Sequence, residues 1–214
     1  MKVLFISVNT ASVNMPTLPL GLACVATATR RAGHQVKLID LIENNDLRGV
    51  IRETITTFRP DSIGIAVRNI DDQCMVDTQF LLDQVKEVIN CCRSTTDVPI
   101  ILGGAGYSMY PESALVYLGA DMGIKGEGEV VFPDLVDRIN QGKDVSDLPG
   151  LYLPGQGPKT ENRYVQDLDL LAFHDEQLWH GSDLVKQQDT WIPLQTRRGC
   201  PMDCSYCSTA RIEG

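Results

Sequence analysis

Apolar positions fall into alternating short runs and helical stripes over the first two thirds of the chain. Val3–Val8 is an apolar run, the pattern of a strand buried on both faces. Leu20–Arg31 reads as a helix ending at Gly33, and its small residues Gly21, Ala23, Cys24, Ala26 and Ala28 let it lie close to a sheet. Val36–Asp40 is a second strand. Leu47, Val50, Ile51, Ile55 and Phe58 form one helical stripe, closed by Pro60. Ser62–Val67 is a third strand, and Phe80–Cys92 is helical with Leu82, Val85 and Ile89 on one face. Ile100–Leu102 is a fourth strand running into Gly103-Gly104-Ala105-Gly106, and Pro111 opens a short helix through Leu118. Met122–Lys125 is a fifth strand, followed by Gly126-Glu127-Gly128-Glu129. Phe132, Leu135, Val136 and Ile139 mark a last helix that stops at Gly142.

Five β-α units predict an α/β domain over residues 1–142: a five-stranded parallel sheet with right-handed crossovers and helices on both faces. The expected strand order is the flavodoxin-like (Rossmann-like) 2-1-3-4-5, which puts a ligand over the carboxyl ends of the strands. Four loops meet there: Asn9–Pro19, Arg68–Asp72, Gly103–Tyr107 and Gly126–Glu129. Residues 143–189 change character. Leu151-Tyr152-Leu153 and Arg163-Tyr164-Val165, around the turn Pro154–Pro158, predict a hairpin, and Asp167–Gln188 reads as an acidic linker with scattered apolar anchors.

Composition narrows the partners. A net charge of −9 over 214 residues argues against a nucleic-acid phosphate track or an anionic membrane surface. The N-terminal apolar run is too short for a signal peptide, and no stretch is long enough to span a bilayer, so a cytoplasmic protein is expected. Seven cysteines is an odd count that argues against a disulfide scaffold. Cys24, Cys91 and Cys92 fall in helical stretches and Cys74 in a loop or helix start, where reduced, structural thiols are expected.

The remaining three cysteines are grouped. Cys200, Cys204 and Cys207 form C-x3-C-x2-C within Arg198-Gly199-Cys200-Pro201-Met202-Asp203-Cys204-Ser205-Tyr206-Cys207. Clustered thiolates hold soft metals and iron–sulfur clusters. Three ligands leave a fourth position open, as a catalytic centre requires. A zinc site completed by another ligand fits less well, because no His or fourth Cys follows within zinc spacing. The motif, with Tyr206 before its last Cys, resembles the signature of the radical S-adenosylmethionine (SAM) superfamily. That resemblance implies a [4Fe–4S] cluster held by Cys200, Cys204 and Cys207, with SAM on the open iron, cleaved by one electron to a 5'-deoxyadenosyl radical. Thr190–Thr196 would then be the first strand of a radical SAM barrel, and residues 190–214 the start of a truncated domain whose remainder lies beyond Gly214.

The loops also discriminate among ligands of the sheet. Asn9–Pro16 has no glycine, unlike a flavin phosphate loop or a dinucleotide fingerprint. Ser7, Asn9, Val67 and Arg68 stand where a phosphoacceptor domain would place acids. Pro16-x-x-Pro19-Leu20-Gly21-Leu22, Ala32-Gly33-His34, Asp40-Leu41, Gly103-Gly104 and Gly126-Glu127-Gly128-Glu129, in that order ahead of the cysteines, resemble the cobalamin-binding domain of cobalamin-dependent radical SAM enzymes. The resemblance covers nearly the whole chain. It implies cobalamin contacts from Asn9, Thr10, Asn14, Met15, Arg68, Asn69, Gly103, Gly104, Ala105, Gly106, Tyr107, Gly126, Glu127 and Gly128. Gly103-Gly104 would let a corrin or its nucleotide tail approach backbone. Glu127 is expected to touch ligand or the neighbouring domain, while Glu129 is explained by the helix macrodipole. The chain departs from the methionine-synthase type of domain in having no D-x-H-x-x-G, so no histidine on cobalt is expected and cobalamin would bind with its own base displaced. The lower cobalt face would meet Asn14, Met15, Arg68 or Asn69. His34 is expected to be a capping or surface residue, with His174 and His180 in the linker.

The resemblance therefore implies the N-terminal part of a cobalamin-dependent radical SAM methyltransferase acting on an unactivated carbon. Its partners would be the missing barrel, a small-molecule or peptide substrate and an electron donor, and this piece alone would be inactive. The alternatives are a methylthiotransferase-like radical SAM enzyme without cobalamin and a non-enzymatic cobalamin or flavin carrier.

Overall fold

Six strands hydrogen-bond into one sheet in a computed structural model that describes residues 1–8, 18–42, 46–72, 74–178, 193–202 and 204–213. The elements follow the chain as β1 (Lys2–Ser7), α1 (Leu20–Arg31), β2 (Gln35–Asp40), α2 (Leu47–Phe58), β3 (Ser62–Ala66), α3 (Leu82–Arg93), β4 (Ile100–Gly103), α4 (Ala105–Met109), α5 (Pro111–Leu118), β5 (Met122–Ile124), α6 (Val131–Asn140), β6 (Leu151–Tyr152) and, after two 3-10 turns, α7 (Thr209–Ile212). The order is β2-β1-β3-β4-β5-β6. The first five strands are parallel in the expected sequence, and β6 joins β5 antiparallel.

The sheet separates two apolar layers. On one face Leu4, Ile6, Ile63, Ile65, Ile100 and Leu102 pack against α2, α3 and α5. On the other, Val3, Phe5, Ile101 and Ile124 meet Ala26 of α1 and Phe132, Leu135 and Val136 of α6. Alternate residues of each strand point to opposite faces, and both faces are covered, which explains the apolar runs in the sequence. The small residues of α1 do what their size suggests: Ala23 and Ala26 are fully buried.

The predicted hairpin is corrected in part. Leu151–Tyr152 is a strand, but it pairs with β5 and covers an edge that a three-residue strand would otherwise leave open. Arg163–Val165 is not a strand, because the Val165 N–H is donated to the Glu127 carboxylate, 2.5 Å away, instead of to a ladder. Leu148 and Leu151 are themselves core residues beside Phe132. Further along, Asp175 forms an ion pair with Arg30, and its N–H donates to Thr27 Oγ1 at 2.8 Å, so this part of the linker lies on α1. Residues 193–196 of the expected barrel strand are not strand, and 190–192 lie outside the described residues.

His34 sits at the amino-terminal edge of the sheet, far from the strand ends, and is buried rather than on the surface. Its backbone N–H donates to the Thr29 carbonyl, and its ring lies 3.4 Å from both the Met1 ammonium and an Asp137 oxygen. Burial and then the ammonium lower its pKa, against the pull of Asp137. Cys91 and Cys92 are buried on α3, and burial, then the neighbouring Cys91, pushes the Cys92 thiol up to about 12, as structural thiols require.

Candidate corrinoid cavity and cysteine loop

The carboxyl ends of the parallel strands open into a cavity of about 550 Å³. Strand register explains why space exists there. Ser7, Ala66 and Gly103 are aligned across β1, β3 and β4, and all three are small. The row beneath is Phe5, Gly64 and Ile101. Both rows line the cavity, which therefore extends down from the strand ends between the sheet and helices α1 and α6. Leu20, Leu22 and Val25 of α1, with Leu18 just before it, form one wall. At the floor the rings of Phe5 and Phe132 meet at 4.9 Å between centroids. A Cβ on Gly64 would fall 2.7 Å from the Phe5 ring and 3.1 Å from that of Phe132, so only glycine lets both rings lie this close to the sheet at the floor.

The rim is made by the glycine loops. Gly104 has φ +100° and ψ 170°, and a Cβ there would lie 2.6 Å from the Val67 carbonyl oxygen. Ser108 ties two of these loops together. Its hydroxyl donates to the Gly104 carbonyl and accepts from the Gly126 N–H, each at 2.9 Å. The β4–α4 and β5–α6 loops are thus held in mutual register by one side chain.

Of the residues expected at the ligand, Arg68, Gly103, Gly104, Ala105, Gly126, Glu127 and Gly128 line the cavity. Gly106, Tyr107 and Asn69 are not among the lining residues. Gly106 packs against the backbone of Arg68 and Asn69, where a Cβ would come within 3.0 Å of the Arg68 carbonyl group. Tyr107 turns into the core and is completely buried, its ring against Gly123. Asn9, Thr10, Asn14 and Met15 lie outside the described residues, as does His180. The Tyr107 hydroxyl has no hydrogen-bond partner among the described residues, and burial raises its pKa. An unsatisfied buried hydroxyl is destabilising, so Tyr107→Phe should raise stability by about 1 kcal/mol, read as a higher urea midpoint at unchanged slope.

Three contributors carried weaker signals. Gly64 could have been found from its position inside an apolar strand, where glycine marks close approach. Glu129, expected to serve only a helix dipole, is 7% exposed and lines the cavity. It faces Arg198, which carried no sequence signal beyond its position before Gly199-Cys200. Arg198 Nη1 lies 2.9 Å from Glu127 Oε1 and Nη2 lies 2.5 Å from Glu129 Oε1. Burial works against the Arg198 charge, but the Glu129 and Glu127 carboxylates overcome it and hold the guanidinium above its ordinary pKa. The same carboxylate acts on Cys24, whose thiol is raised to about 11 by burial and then by Glu129.

Cys200 and Cys204 are half-buried and Cys207 is exposed, all on the loop before α7. The Cys207 N–H donates to the Cys204 carbonyl at 3.0 Å, which turns the loop back on itself. Cys207 Sγ is 3.3 Å from Thr209 Oγ1, and hydrogen bonding from Thr209 lowers the thiol pKa toward the thiolate that a metal or cluster needs. The donors fit an iron–sulfur cluster in kind. Among the described residues, however, no three His, Cys, Asp or Glu side chains are gathered closely enough to hold a metal ion. The cavity fits a corrinoid better: it is large, mostly apolar and rimmed by the backbone of Gly103, Gly104, Gly126 and Gly128, and a Cβ at Gly103 would meet no atom closer than 3.9 Å. No helix among the described residues is long and apolar enough to cross a membrane.

The family described as the B12 binding domain matches residues 6–136, and the chain belongs to it. The match runs from the end of β1 through most of α6, and so takes in most of the elements that build the cavity. Tryptophan 2-C-methyltransferase of Streptomyces laurentii is 30% identical over 159 residues, covering 73% of this chain and 26% of that protein. Hopanoid C-3 methylase of Methylococcus capsulatus is 29% identical over 209 residues, covering 92% of this chain and 36% of that protein. Among solved structures, the radical SAM methyltransferase TsrM from Kitasatospora setae, with cobalamin and a [4Fe–4S] cluster bound, superimposes with a TM-score of 0.69 at 28% identity, over 75% of this chain and 30% of that one. The chain thus spans about a quarter to a little over a third of the length of these relatives.

Proposed function

We propose that this chain is the corrinoid-binding part of a cobalamin-dependent radical SAM methyltransferase, with residues 1–142 forming the corrinoid domain, 143–189 the connection and 190–214 the start of the radical SAM domain. The observation that carries the reading is the glycine-floored cavity at the strand ends, in a chain of the B12 binding domain family. Phe5, Gly64, Phe132 and the residues of α1, which line a mostly apolar slot, would hold the nucleotide tail of the corrinoid. The corrin would then lie across Gly103, Gly104, Gly126 and Gly128, where backbone is exposed. Arg68, which lines the cavity, would contact the corrinoid, and Asn14 and Met15 of the first loop are proposed to do the same. When bound, the corrinoid would supply a methyl group, and the cluster with SAM a radical on the substrate carbon. The protein's part is to hold these groups in reach of each other.

Incubation with hydroxocobalamin followed by gel filtration tests the reading. About one corrin per chain should travel with the protein, and saturation at a hundred times the dissociation constant should add about 2.7 kcal/mol of stability. A protein peak without corrin absorbance counts decisively against it.

A further inference from the structure

Arg198 joins two segments that the proposed chemistry would need in fixed relation. Glu127 and Glu129 belong to the loop after β5, which lines the cavity, while Arg198 is separated from Cys200 by Gly199 alone. The guanidinium side chain is 17% exposed, and the two glutamate side chains 7% and 5%. An ion pair on the surface contributes little, but one this buried leaves uncompensated charge when either side is removed. Here one guanidinium answers two carboxylates, so losing it strands two like charges in a mostly apolar cavity. The second oxygen of Glu127 is already committed to the Val165 N–H. Within the docked segment itself, the Gly199 N–H donates to the Glu213 carboxylate at 3.2 Å.

The docked segment is itself part of the cavity wall. Pro193, Leu194, Gln195 and Ile212 line the same space as the strand-end glycines. Arg198 is the ion-paired link between this wall and the loop after β5, so a ligand filling the space would touch both segments that it joins. We propose that Arg198 is a positioning residue, a clasp through which cavity occupancy and docking of the cysteine loop reinforce each other. This inference rests on the corrinoid reading of the cavity. Reciprocity follows from linkage: if docking tightens ligand binding, ligand must tighten docking by the same factor. A fork is the right shape for the task, since its two nitrogens reach two separate carboxylates, whereas a lysine ammonium is a single point.

Amide hydrogen exchange on the 214-residue chain, with and without hydroxocobalamin, tests the clasp, with corrin absorbance confirming occupancy in every sample. In the unsubstituted protein, bound hydroxocobalamin should slow exchange at 195–202 and 204–210 by about tenfold, within the ordinary range of coupling between sites. Arg198→Gln should still bind hydroxocobalamin but lose that slowing, and Arg198→Lys should keep part of it. A purely structural arginine would change melting temperature without changing the response of those amides to ligand. Occupied wild-type protein whose 195–202 amides exchange as fast as in the free protein overturns the clasp alone. So does an Arg198→Gln variant that retains the full response. Failure of the wild type to take up any corrin overturns the corrinoid reading and the clasp with it.

Discussion

Replacing Gly104 with alanine should cost about 3 kcal/mol of stability, seen as a fall of roughly 10 °C in melting temperature for a chain of this size. Two independent effects add. The backbone at φ +100°, ψ 170° lies in a region that is essentially closed to any residue with a Cβ. The Cβ would also be driven to 2.6 Å from the Val67 carbonyl oxygen, which is backbone and cannot rotate aside. That carbonyl accepts the Gly106 N–H at 3.0 Å, while the Val67 N–H donates to Gly103 at 2.8 Å, so β3 and the β4–α4 loop would have to move together. Thermal unfolding followed by circular dichroism measures the effect. A loss under 1 kcal/mol would mean that the loop can relax, and the rim geometry would then not be fixed by this glycine.

The sheet was legible because its central strands β1, β3 and β4 are buried on both faces. Val3–Val8 and Ile100–Leu102 have no polar alternation to mislead, and the stripes of α2 and α6 have the period of helices packed on one side. Strand order followed from the number of β-α units and the rule for open parallel sheets. The sixth strand was only half legible. Its residues look like a hairpin arm, but pairing with β5 depends on an exposed edge that no local pattern announces. Arg163–Val165 has the composition of a strand, yet its N–H goes to a carboxylate from a loop nearly forty residues earlier.

The site divides along the same line. The glycine loops could be read from the sequence because a glycine after a strand is itself a conformational statement. Tyr107, four residues into the same segment, could not. Whether an aromatic beside such a loop faces ligand or core depends on the short helix α4, which turns it under β5. Glu129 and Arg198 form a contact across 69 positions, and neither has a local pattern that distinguishes a buried ion pair from a solvated charge. The cysteines show the converse. Their spacing is explicit in the sequence, while among the described residues no three such ligands are gathered closely enough to hold a metal ion.

Gly103 offers the sharpest separation of binding from folding, and Gly103→Val should lower hydroxocobalamin affinity by a hundredfold or more, about 2.7 kcal/mol, with stability changed by less than about 1 kcal/mol. A Cβ at this position meets nothing closer than the Ile124 carbonyl oxygen at 3.9 Å, so the fold has room for it. Valine also suits a strand end, since the β-branched side chain is favoured on a pleated surface. Yet the added methyl groups would project into the row shared with Ser7 and Ala66, the shelf between the glycine rim and the slot below. A corrinoid tail would have to pass this shelf to reach the slot. Gly64 is the less informative position, because its Cβ would clash with Phe5 and Phe132 and overpack the core. Equilibrium titration by corrin absorbance, paired with urea unfolding of the same Gly103→Val preparation, measures both quantities. Wild-type affinity in a stable Gly103→Val protein would show that the corrinoid does not use the passage over β4, and the cavity would have to be assigned to another ligand.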